Sequence, residues 1–246
     1  MATLEWATLA ACCAALLLRV PDAVKGRNRT IFGILLLATL CSMLAVSELY
    51  EAIDGVLGGR HVTSLILRYL VFATVLLVGL RVTRGLAATR GYSLIAGWPG
   101  RLALALCCLA VTRDIPPDGH NRCAGRSTDA VRCRRRECRP GPYYTAAGRS
   151  YPAFVSLALV PPLLVAVRSR QPRLVRAGAL LVLLGAVFAI MSFPVSLAPA
   201  SWAGGLRFVN YAAVLGYVGG LVVFWFSGLI ANTSGNAKAT FSRNDH

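Results

Sequence analysis

Charge is scarce in this sequence, and acid is scarcest. Charged residues make up 15% of the 246 residues, and only ten are Asp or Glu. A soluble domain carries about a quarter. Lysine is nearly missing, with Lys25 and Lys238 alone among the basic residues that are otherwise arginine. Histidine is confined to His61, His120 and His246, none of them inside an apolar segment. HExxH, a Walker loop, GxGxxG and a Ser/His/Asp order are all lacking. Without such a constellation nothing in the chain points to an enzyme, and no cofactor is expected.

What the sequence does have is hydrocarbon. Hydrophobic residues make up 56% of it, in blocks close to the ~20 residues that cross a bilayer core. The reading is an all-α polytopic transmembrane helix bundle, occupying 1–230, with the lipid bilayer as its surroundings and the cell membrane as its location. Spans are expected at about 2–20, 30–50, 62–80, 94–112, 151–167, 177–197 and 208–230. The first block carries Glu5, lacks a basic start and ends at Arg19, so it reads as a span and not as a signal peptide. The fourth is the weakest, because Pro99 and Arg101 interrupt its start. The polar tail 231–246 reads as disordered.

The formal net charge of +16 resembles that of a nucleic-acid binder. Arginines at span ends are the ordinary positive-inside signal, however, and no nucleic-acid partner is expected. With seven spans, the clusters at residues 19–29, 81–90 and 168–176 fall on one side, together with Lys238 and Arg243. Arg60 and Arg207 are left in the short loops of the other side. This puts the N-terminus outside and the C-terminus in the cytoplasm. Six spans would keep the arginines of 113–149 inside but would move the 168–176 cluster out, so seven is preferred. Arginine in place of lysine, with abundant Ala, Gly and Val, is what GC-rich codons produce, as in a high-GC bacterium or its phage.

The segment 113–150 is an Arg- and Cys-rich polar loop. His120, Cys123, Cys133 and Cys138 are spaced too loosely for a zinc knuckle, which favours paired ligands from tight turns. The three cysteines leave one odd if two pair as a disulfide. Arg134, Arg135 and Arg136 lack the interleaved aromatics of a single-strand binder. A solvated connector and a locally shifted reading frame both account for the composition, so no metal or catalytic site is placed there.

Ionisable groups inside a bilayer are costly and are functional candidates by default. Arg68 lies inside the third span and Glu48 near the end of the second. Counting ~1.5 Å per residue from their shared loop puts them at similar depth. A polar cluster is expected in which Arg68 pairs with Glu48, with Glu51 or Asp54 as substitutes. Glu5, near the outer end of the first span, either joins that cluster or, the preferred reading, is an exposed interfacial carboxylate, and Asn210 reads as a hydrogen-bonding group at the start of the seventh span. Pro161 and Pro162 should kink the fifth span. Gly216 and Gly220, four apart, allow close helix approach within the chain or, alternatively, between copies in a homo-oligomer or with a protein partner.

Arg27 and Arg29 before the second span, "YEAIDGVLGG" after it, and "RAGALLVLLGAVFAIMSFPVSL" for the sixth carry a resemblance. In these stretches the chain resembles the seven-span membrane module of actinobacterial putative-transporter and regulatory membrane proteins. The segment 113–143 departs from it. That module usually continues into a cytosolic C-terminal domain, whereas here the tail 231–246 follows directly. The resemblance implies a non-enzymatic regulatory, sensory or partner-binding membrane module. The alternative is a small-solute transporter or transporter subunit.

Overall fold

The computed structural model describes residues 2–26, 29–56, 62–113, 142–198 and 202–243, and the described elements are all helical. In chain order they are α1 (Ala2–Leu17), α2 (Val20–Val24), α3 (Arg29–Ala45), α4 (Ser47–Val56), α5 (Val62–Gly85), α6 (Thr89–Ala96), α7 (Trp98–Arg113), α8 (Pro142–Arg168), α9 (Arg173–Ser196) and α10 (Ala203–Arg243). Five stretches are long and apolar enough to cross a membrane: Thr63–Gly85, Thr89–Arg113, Gly148–Arg168, Arg173–Ser196 and Gly204–Gly228. Thr3–Leu17 and Arg29–Ala45 are shorter apolar helices. By length and composition the chain is a multi-pass integral membrane protein.

The outer surface agrees with that reading. Leu102, Leu106 and Leu109 of α7 and Leu157, Leu164 and Val165 of α8 are exposed, as are Leu180, Leu184 and Val187 of α9. A water-soluble bundle would bury such stripes. Lipid accepts them without cost.

Local sequence explains where the helices break. Pro21 sits in the first turn of α2, where its missing N–H is tolerated, and so ends α1 before the expected limit of the first span. The expected second span, 30–50, is not one helix. It divides between α3 and α4 at Val46, where Ser47-Glu48 supplies the residue types that favour a new helix start. The fourth span, weakest in sequence, is longer than expected because α6 and α7 run on from one another as Thr89–Arg113. Gly97 lies between them in extended conformation (φ −76°, ψ −171°). A Cβ there would run into Ser93 O, so the break requires the missing side chain.

Both ends of the chain's second half are more helical than expected. Helix α8 starts at Pro142, inside the segment read as loop, because proline suits the first turn of a helix. It then runs through Pro152, Pro161 and Pro162 without ending. Helix α10 continues through Arg243, past the point at which a disordered tail was expected. Once a helix is nucleated, each added residue costs little and gains a hydrogen bond.

The core is a seam of small residues between α9 and α10, extended by α8. A Cβ at Gly216 would stand 2.7 Å from Gly185 Cα, and one at Gly185 would stand 2.9 Å from Tyr217 N. Gly220 likewise faces Gly178 O at 2.9 Å from its Cβ position. The Gly216/Gly220 pair therefore packs within the chain, backbone against backbone. Val155, Leu159 and Leu163 of α8 are fully buried against this seam, with Ala179, Val182 and Ala186 of α9. A second cluster joins Cys12 and Ala15 of α1 to Ile31, Leu35 and Ala38 of α3 and Val218 of α10.

Candidate functional site

The bundle is not packed throughout. At one end the starts of α1, α5, α8 and α10 and the ends of α3 and α9 surround a cavity of about 550 Å³. Side chains of α4 complete the wall through Tyr50. The seam keeps α10 against α9, so the opposite face of α10 looks into this space with Asn210, Val214 and Tyr217.

Two hydrogen-bonded links hold the walls. Tyr217 OH lies 2.7 Å from Ser156 Oγ, which is itself 2.6 Å from Pro152 O, so a buried hydroxyl pair ties α10 to α8. Tyr211 OH donates to Ala45 O at 3.3 Å and ties α10 to α3. Cys12 Sγ of α1 finds a hydroxyl partner in Ser42 of α3 at 3.4 Å, and Cys41 Sγ of α3 one in Thr74 of α5 at 3.8 Å. These thiols behave as small core residues, as expected of cysteines inside spans.

Charge enters from four helices. Glu5 is 6% exposed, and its Oε1 lies 3.9 Å from Arg207 Nη1 at the mouth. Arg207 is largely exposed, so the pair contributes little to stability. Arg149 Nη1 donates to Asn210 Oδ1 at 3.0 Å. Arg68 from α5 reaches the same place on α8, since a Cβ at Gly148 would run into its guanidinium. Glycine at 148 is what lets the Arg68 guanidinium lie against the α8 backbone, beside Arg149.

Arg68 lines this cavity from inside the expected third span, beside Gly148 and Arg149. Glu48 is exposed on α4 and is not among the residues lining the cavity. The depth count assumed a straight helix through 30–50, and the break at Val46 removes that assumption. The side chains of Glu51 and Asp54 lie outside the described residues, as do His120, Cys123, Cys133 and Cys138. Among the described residues the carboxylate lining the cavity is Glu5, buried where an exposed interfacial group was expected. Asn210 has the hydrogen-bonding role its position suggested. Arg149 was missed, because it was counted with the loop; the proline at 142 is the signal that places it on a helix.

The arginines at the opposite end of the bundle make different contacts. Arg19 lies over the Trp225 ring, 4.6 Å from its centroid. Arg84 Nη2 donates to Tyr92 OH at 2.8 Å, and Arg176 Nε to Val167 O at 2.9 Å, both at exposed positions. Arg168, Arg170 and Arg173 are exposed around them. No family model matches this chain, and neither does any curated protein or solved structure.

Proposed function

We propose that this chain is a non-enzymatic sensory, regulatory or partner-binding module of a bacterial cell membrane, and that it recognises its ligand from outside through the cavity. The observation that carries this reading is the division of charge between the two ends. The exposed arginines of 168–176, with Arg84 and Arg90, crowd the end opposite the cavity. By the positive-inside rule that end is cytoplasmic, which turns the cavity outward. The lining suits binding better than catalysis, with a single carboxylate and no histidine among the described residues.

A small-solute transporter is the second reading. Three prolines inside α8, one of which (Pro152) lines the cavity, favour it, because they weaken the helix that a transport cycle would bend. A deletion strain and its complemented parent separate the two. Altered transcript levels with unchanged solute uptake support the sensory module. Lost uptake of a solute, with transcripts unchanged, would replace it with the transporter.

A further inference from the structure

The cavity lining has a chemistry of its own. Three guanidiniums, those of Arg68, Arg149 and Arg207, face it against the single carboxylate of Glu5 among the described residues. Glu5 and Arg207 stand together at 3.9 Å. Arg149 is different: the partner of its guanidinium is the neutral Asn210, and no carboxylate lies within salt-bridge distance of it among the described residues. Its neighbour across Gly148 is another arginine, Arg68. Arg68 has at least one further interaction of its own, whereas the hydrogen-bond partner of Arg149 is neutral. A cation placed among membrane helices with a neutral partner carries an uncompensated desolvation cost. An anion in the cavity would offset it, and a planar guanidinium matches a carboxylate or phosphate through two parallel hydrogen bonds.

Beside a few hydroxyl side chains, much of the rest of the lining is apolar. Leu44, Leu67, Val71, Val75 and Val214 offer hydrocarbon below the arginines, and the volume of about 550 Å³ is that of a small-molecule site. Inorganic phosphate alone would leave this surface unused. We infer that the cavity binds an amphiphilic anion, its phosphate or carboxylate head on Arg149 beside Arg68 and its hydrocarbon body against Leu67, Val71, Val75 and Val214. This rests on the reading of the cavity as a recognition site and names its ligand class. The anion has two natural sources, a bilayer lipid with an anionic headgroup or a free amphiphile arriving from water.

The test uses the full chain in phosphatidylcholine nanodiscs, titrated with decyl phosphate while thermal unfolding is followed. A saturable rise in the unfolding midpoint is expected. Inorganic phosphate should give at least tenfold weaker binding, and decyltrimethylammonium no saturable rise. Arg149→Gln should lose at least tenfold in affinity and Arg149→Lys less. Arg101→Gln, exposed on α7 outside the cavity, should bind as the parent does. Gly148→Ala, which moves the Arg68 guanidinium without removing a charge, provides a second variant if Arg149→Gln fails to fold. If phosphatidylglycerol in the nanodisc competes with decyl phosphate, the source is the bilayer; if it does not, the source is a free amphiphile. Equal affinity in folded Arg149→Gln and parent, or equal binding of the cationic amphiphile, overturns the assignment. A deletion strain with normal transcripts would sink the sensory reading while leaving this binding intact.

Discussion

Helix α10 has two faces with opposite habits. Toward α9 it presents Gly216 and Gly220, and the backbones meet with no room for a side chain. Toward α3, α5 and α8 it presents Asn210, Val214 and Tyr217, and a cavity remains. In lipid there is no hydrophobic force to press helices together, so small residues and hydrogen bonds decide where they touch. The seam is therefore where stability is concentrated. The cavity, lined by arginines and by apolar side chains, is where the proposed ligand would be recognised. If this division is right, substitutions in the seam should cost folding and spare binding, and those in the cavity should do the reverse.

Gly216→Leu gives the largest expected effect. It forces a side chain onto Gly185 Cα, an overpacking that costs about 1–3 kcal/mol. Thermal unfolding in nanodiscs should show a clearly lowered midpoint, with decyl phosphate affinity retained in the folded fraction. Gly148→Ala comes next and should act in the opposite sense. The methyl displaces the flexible end of Arg68, so affinity should fall severalfold. Stability should hold or rise, since alanine favours a helix interior over glycine by roughly 0.5–1 kcal/mol. Tyr217→Phe removes the hydroxyl contact to Ser156, and hydrogen bonds between helices in membranes contribute about 0.6 kcal/mol on average. A small, measurable drop in midpoint is expected, and a drop as large as that of Gly216→Leu would erase the distinction between the two faces. Glu48→Gln should change neither unfolding nor binding, because Glu48 is exposed and away from the cavity. A loss of affinity there would restore the pairing with Arg68 expected from sequence.

The seam was readable from residue order and the cavity only in part, for physical reasons. Spacing of four between Gly216 and Gly220 maps directly onto one helix face, and close approach follows without knowing the partner. Span positions were readable because lipid demands long apolar runs, although helix breaks at Val46 and Gly97 shifted the limits. Arg68 declared itself by standing inside an apolar run. Arg149 did not, since the Arg- and Gly-rich composition of the loop continues past the start of α8 at Pro142. Glu5 was visible, but its burial depends on α10 lying beside α1, a long-range contact that local pattern does not encode.

The proposed orientation turns the cavity outward and the arginine-rich end inward. Single cysteines on a background with the eight native cysteines replaced test it directly, one at Ser64 in the cavity wall and one at exposed Arg170 at the other end. A membrane-impermeant thiol reagent should label Ser64→Cys in intact cells and Arg170→Cys only after permeabilisation. The reverse pattern would contradict the account.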